Sequence, residues 1–306
     1  MPASEFSLIY RYFAGLGRGD AVDLSVGDDC AILRLAEGER LAISVDTMVS
    51  GVHFPEDCFP EDVGFRALAV AASDLAAMGA RPLACTVALT LPEADELWLH
   101  AFSEGLAAAV SAFKLPLVGG DTTRGPLTIS VQVMGALPLD MALPRGGARV
   151  GDTVCVSGTL GDAAAALAVL EGKWQPHPAD AEFLLARYHR PTPRIALGTR
   201  LLGHASAAID ISDGLLADAG HVAAASGVKL VIDPALLPIS PALRTYPDAG
   251  QVTRWALTGG DDYELCFCLG ADQLLPAGCT AIGRVEAGEG VDCGLDVDFA
   301  AGYQHF

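Results

Sequence analysis

Leu41-Ala42-Ile43-Ser44-Val45-Asp46 is an apolar, β-branched run ending on a carboxylate, and its length predicts a strand rather than a helix. Side chains alternate along a strand, so Ser44 and Asp46 project to one face. Downstream, residues 61–79 predict a helix that is apolar on nearly every side. A strand over 83–91, a helix over 93–113, a strand over 115–118 broken by Gly119-Gly120, and a strand over 128–137 follow. Upstream, residues 6–13 predict a short amphipathic helix and Gly27-Asp28-Asp29 an acidic turn. Alternating strands and helices make residues 1–138 an α/β or α+β domain. Residues 138–152, with Pro138, Pro144 and Gly146-Gly147, predict the boundary to a second domain over 150–306. There, strands are expected at 153–156, up to Asp210, at 228–232 and at 263–269, with helices at 162–170, 179–189, 192–203 and 214–226.

The chain has 306 residues, enough for two domains with substantial cores. Its 38 Asp+Glu outnumber 19 Lys+Arg, a formal charge of −19 that argues against nucleic acid as a partner, because polyanions are held mainly by Lys and Arg. Clustered carboxylates favour divalent cations instead. No apolar run is long enough to span a membrane, and Met1–Glu5 opens without the features of a signal peptide, so a cytoplasmic location is expected. The eight cysteines form no CxxC pair and read as reduced structural thiols. Cys266 and Cys268 would share one strand face, which leaves a metal role open for them.

Placement of the acidic residues is more informative than their number. Asp46, Asp121 and Asp210 each follow an apolar strand, where ligands gather in α/β sheets, although a single Asp there is commonly a turn former. Asp74 continues the helical row Val63, Ala67, Val70, so it faces the core and requires protonation, a cationic partner such as Arg81, or a metal. Asp29, Ser44, Asp46, Asp74 and Asp121 together offer an oxygen-rich shell for Mg²⁺. Gly119-Gly120-Asp121-Thr122-Thr123-Arg124-Gly125 can bring backbone N–H groups to phosphate oxygens. The chain has no Walker GxxxxGK[ST] loop and no kinase HRD or DFG, and Gly15-Leu16-Gly17-Arg18-Gly19 reads as a turn.

Gly27-Asp28-Asp29-Cys30, Ser44-Val45-Asp46-Thr47, Ser73-Asp74-Leu75-Ala76-Ala77-Met78-Gly79, the Gly119–Gly125 stretch, Ile209-Asp210-Ile211-Ser212-Asp213-Gly214 and Gly259-Gly260-Asp261-Asp262-Tyr263-Glu264 occur in one order. Read together they resemble the thiamine-monophosphate kinase family, over nearly the whole chain. The resemblance extends to aminoimidazole-ribonucleotide synthetase, a hydrogenase maturation factor and selenophosphate synthetase. It implies a two-domain fold like that of aminoimidazole-ribonucleotide synthetase, with an N-terminal metal- and ATP-binding domain that pairs in a homodimer. A C-terminal α/β domain would complete the active-site cleft.

By the same resemblance, ATP phosphorylates thiamine monophosphate with several Mg²⁺ ions. Asp29, Ser44, Val45, Asp46, Asp74, Asp121, Asp210 and Asp213 would hold the metal, Val45 through its carbonyl. Asp29, Asp46, Asp74, Asp121 and Asp210 would be the catalytic carboxylates. Gly120, Asp121, Arg145 and Ser212 would contact ATP, and His53, Asp261 and Tyr303 the thiamine phosphate. The family usually has Glu where this chain has Asp261. Two other readings of the acidic loops are a different ATP-using member of the same superfamily and a non-catalytic cation- or nucleotide-binding protein.

Overall fold

In the computed structural model, residues 5–295 are described, and they divide into two compact units. One takes in the described residues up to Leu75 together with Ala80–Met141; the other takes in Ala76–Gly79 and the described residues from Ala142 onward.

The first unit begins with α1 (Glu5–Tyr12) and a short antiparallel pair, β1 (Val22–Leu24) and β2 (Ile32–Leu33). It is centred on a four-stranded sheet of β3 (Glu39–Val49), β4 (Arg81–Leu91), β5 (Leu117–Arg124) and β6 (Thr128–Pro138), in the order β3-β6-β4-β5. All pairs are antiparallel except β4 with β5. Helices α2 (Pro60–Met78) and α3 (Glu96–Phe113) supply the apolar cover for one face, where Val87, Leu89, Ile129, Val131 and Val133 are buried. Asp95 caps α3 by accepting from the Leu97 and Trp98 amides at 2.8 and 3.3 Å, which starts the helix later than the expected residue 93. α2 and α3 approach closely at two glycines. A Cβ on Gly64 would stand 2.2 Å from the Phe102 carbonyl oxygen, and one on Gly105 1.8 Å from that of Glu61.

Two strand expectations change. β3 runs on to Val49, so Asp46 lies inside the strand, opposite Val131, rather than at its end. Gly119 and Gly120 do not break β5, which continues through them to Arg124 in parallel register with β4. The reason is contact: a Cβ on Gly120 would fall 1.9 Å from the Val87 carbonyl oxygen, so glycine lets the two strands close up.

The second unit carries a six-stranded sheet. Its strands are β7 (Thr153–Ser157), β8 (Ala205–Asp210), β9 (Lys229–Ile232), β10 (Leu265–Leu269), β11 (Cys279–Glu286) and β12 (Gly290–Asp292), in the order β12-β9-β11-β7-β10-β8. Only β12 and β9 are parallel. Its helices are α4 (Asp162–Leu170), α5 (Pro178–His189), α6 (Ile195–Leu201), α7 (Leu215–Ser226) and α8 (Ala249–Thr258). One core joins Val154, Val156, Ile209, Cys266 and Cys268 to the α7 residues Leu215, Ala219 and Val222. A second joins Cys155, Phe267 and Leu269 to Leu197 and Leu201 of α6 and to Ala76 and Ala77. Alternation along β10 thus buries both of its faces. Cys266 and Cys268 are packing residues, and all eight cysteines are free thiols. α8, β11 and β12 lie outside the sequence expectation.

Candidate active site

The strand period places Ser44 and Asp46 on the α2 side of β3, and Asp74 reaches them from that helix. Ser44 Oγ donates to Asp74 Oδ2. Asp46 is pushed up to about 6, first by burial and then by the neighbouring Asp74 carboxylate. Asp74 is half-buried rather than sunk in the core, and the Arg81 salt bridge does not form. Arg81 Nη2 instead donates to both carboxylate oxygens of Glu39, at 2.8 and 2.9 Å. Two carboxylates and a hydroxyl therefore share one spot with a mutual repulsion that a cation would relieve. Val45, between them, turns its side chain to the opposite face, where it is 64% exposed.

A second group lines a cavity of about 590 Å³ in the same unit. The acidic turn Gly27-Asp28-Asp29 and the strand segment Gly119-Gly120-Asp121-Thr122 form its polar side, and Ile9, Phe13, Val26 and Leu117 its apolar side. Asp29 is exposed, with its amide donating to Asp28 Oδ1 at 2.9 Å. Ser44, Asp46 and Asp74 are not among the residues lining this cavity. β3 and β5 are opposite edges of the sheet, three strand spacings or about 14 Å apart. The structure thus brings Asp29, Gly120 and Asp121 together, and separately Ser44, Asp46 and Asp74. His53 sits just beyond β3, where its Nδ1 accepts from the Val49 amide at 3.0 Å, which places the ring proton on Nε2.

In the second unit, Asp210 ends β8 and is buried, while Ser212 and Asp213 in the following turn are half-buried. This turn is joined to the Gly259–Glu264 segment by three backbone bonds: Asp261 N–H to Ser212 O and Tyr263 N–H to Ile211 O, each 2.9 Å, and Ile211 N–H to Glu264 O at 2.8 Å. Asp261 and Tyr263 take left-handed conformations, φ 68° and 50°, and Tyr263 Oη donates to Asp261 Oδ1 at 3.0 Å. Strained non-glycine residues of this kind persist where the surroundings over-determine them. Here the surroundings are Asp262 and Glu264, both buried. Asp262 Oδ2 accepts from the Gly161 amide at 2.7 Å. Glu264 accepts from Ser157 Oγ at 2.5 Å, Arg187 Nη2 at 2.9 Å and Arg194 Nε at 2.6 Å. Burial raises Asp262 well above the usual carboxylate range. Arg145 is exposed in the segment beside β8, where Pro144 O accepts from the Ala208 amide at 3.1 Å. Tyr303 lies outside the described residues.

Sequence reading missed Asp218. Its Oδ2 accepts from the amides of Ser212, Asp213 and Gly214 at 3.0, 3.1 and 3.1 Å. Burial, with Asp210 and Asp213 beside it, pushes this carboxyl up to about 7. The available signal is an acidic residue in the first turn of a helix whose N-cap is glycine.

Among the described residues no group of three His, Cys, Asp or Glu side chains is placed to hold a metal ion. The oxygen donors come in smaller sets, which suits Mg²⁺, an ion usually bound through one or two carboxylates together with substrate phosphates and water.

Residues 27–137 match the family model for the N-terminal domain of AIR synthase related proteins. The thiamine-monophosphate kinase of Salmonella typhimurium is 48% identical over all of this chain and 99% of its own length. The crystal structure of the thiamine-monophosphate kinase from Stenotrophomonas maltophilia K279a superposes with a TM-score of 0.87 at 48% identity, covering 96% of this chain and 98% of that one. The complex of AaThiL with AMPPCP and TMP gives a TM-score of 0.82 at 36% identity over 89% of each chain.

Proposed function

The chain belongs to the thiamine-monophosphate kinase family, and from that premise we infer that it transfers the γ-phosphoryl group of ATP to thiamine monophosphate, giving thiamine diphosphate and ADP. The observation that carries this reading is 48% identity to a thiamine-monophosphate kinase over all of this chain and 99% of that protein. A relative solved with AMPPCP and TMP supports both substrates, taking TMP there as thiamine monophosphate.

The attacking group is a phosphate oxygen, and a phosphate monoester with a second pKa near 6 is largely deprotonated at neutral pH. No strong general base is required of the protein. What must be overcome is repulsion between two polyanions, which Arg145 and cations held by the carboxylates would offset by positioning and charge neutralisation. Mg²⁺, when bound, would supply the charge neutralisation. Asp46 and Asp74 with Ser44, Asp29 with Asp121, and Asp210 with Asp213 are the groups proposed to hold it, with the Val45 carbonyl as a further donor. The proposed nucleotide contacts are Gly120, Asp121, Arg145 and Ser212. On the acceptor side we assign His53, through Nε2–H, and Asp261, oriented by Tyr263; Tyr303 is carried as a third contact on family likeness.

A homodimer formed through the first unit is part of the proposal. Leu41, Ile43 and Val45 are 44, 55 and 64% exposed and follow one another on the outer face of an edge strand, a surface that invites pairing. A cytoplasmic location also belongs to the proposal; no described helix is long and apolar enough to cross a membrane. The deciding experiment is incubation with ATP, Mg²⁺ and thiamine monophosphate. Appearance of thiamine diphosphate is the expected result, and ATP consumption without it would reject the assigned acceptor.

A further inference from the structure

A turn that leads from a strand into a helix ordinarily presents its free amides to an anion. In the turn between β8 and α7 those amides are already taken. The buried Asp218 carboxylate, 2% exposed and one turn into α7, reaches back and accepts from Ser212, Asp213 and Gly214. Gly214 supplies no side-chain cap of its own. The opposite side of the same turn is fixed by its backbone bonds to Asp261, Tyr263 and Glu264. With its amides satisfied internally, the turn has the Ser212 hydroxyl and the Asp213 carboxylate left to offer a ligand, and both are half-buried. It is therefore suited to a metal-bound nucleotide rather than to bare phosphate.

We propose that Asp218 is a positioning residue for the nucleotide: by engaging three backbone amides it holds Ser212 and Asp213 in the orientation that meets the metal–ATP complex. This rests on the assignment of Ser212 and Asp213 to nucleotide and metal under the proposed function. Asp218 touches neither substrate. Its effect is transmitted through the turn, by the three hydrogen bonds that fix the backbone of residues 212–214.

The test uses Asp218→Ala and Asp218→Asn in the full-length protein, with three readouts: amide hydrogen exchange at residues 212–214, the Kd of a non-hydrolysable ATP analogue with Mg²⁺, and the KM for ATP. Asp218→Ala should speed exchange at these amides and raise both Kd and KM about tenfold, equivalent to about 1.4 kcal/mol. Asp218→Asn keeps one acceptor oxygen without the charge and should raise them about threefold, or about 0.7 kcal/mol. Kd and KM report on folded molecules, so a helix cap with no wider role would lower Tm and leave both constants at parent values. That outcome, in whichever variants fold, overturns the proposal, as does an Asn variant as impaired as the Ala variant, which would make charge rather than geometry the cause. Because Kd needs no turnover, a parent protein that binds the analogue but fails to phosphorylate thiamine monophosphate would count against the proposed function and not against this inference.

Discussion

Burial, and then the Asp74 carboxylate beside it, raise the cost of ionising Asp46, and Ser44 Oγ donates to Asp74. Asp74→Asn should lower kcat/KM on the order of a hundredfold or more, the scale on which transition-state electrostatics is lost. It should also raise the Tm of the metal-free protein, because the neighbouring Asp46 loses a like charge. Near-parent turnover at saturating Mg²⁺ would remove Asp74 from the site. The pH dependence follows from Asp46, whose folded value of about 6 lies above the ordinary 3.8. The folded state then binds this proton more tightly than the unfolded chain, so the stability it contributes is present at acid pH and is lost as pH rises through about 6. Between pH 7.5 and 5 the metal-free parent should gain stability relative to Asp46→Asn, by a few °C in Tm for a chain of this size. Bound Mg²⁺ favours the ionised form and should shrink that difference. A parent and variant that shift in parallel would mean that Asp46 titrates normally.

Elements are where sequence and structure agree most and diverge most instructively. The helical row ending in Asp74 and the two-residue period of β3 are both local patterns: they predict that Ser44 and Asp46 share a strand face and that Asp74 points inward, whereas the packing of α2 on β3 brings these three together and leaves Asp29 and Asp121 of the expected five-residue shell at another place. The local preference of Gly119-Gly120 predicts a break, whereas a tertiary contact decides it: the strand continues because β4 comes within reach only of a residue without Cβ. The frame around Glu264 was illegible for a different reason. Arg187 and Arg194 lie 77 and 70 residues from the carboxylate they hold, and no periodicity links them. Close contact also decides the α2–α3 crossing. Gly105→Ala would drive a methyl group to within 1.8 Å of the Glu61 carbonyl oxygen, so the helices must separate. The expected cost is about 1–3 kcal/mol, as for other overpacked cores, read as a fall in the denaturation midpoint at unchanged m-value. A variant as stable as the parent would show that the helices can part without loss.

For the molecule as a whole, the pleat of one strand separates two tasks. Even-numbered residues of β3, Ser44 and Asp46, face α2 and the acidic cluster, while Leu41, Ile43 and Val45 face outward on the sheet's edge strand. An apolar row of this length on an unpaired edge is an aggregation liability unless something covers it, and a second copy of the same strand is self-complementary about a two-fold axis. Charged residues on an edge are the ordinary means of preventing such pairing, so Ile43→Lys combined with Val45→Lys should convert a homodimer to monomers. In sedimentation equilibrium the parent should have twice the 31.6 kDa chain mass and the double variant the mass of one chain. The altered side chains point away from Ser44 and Asp46, so the variant's spectroscopic fold and the pH response of Asp46 should survive. A parent that sediments as a single chain at micromolar concentration would remove the dimer from the proposal, and a double variant that remains dimeric would move the interface to another surface.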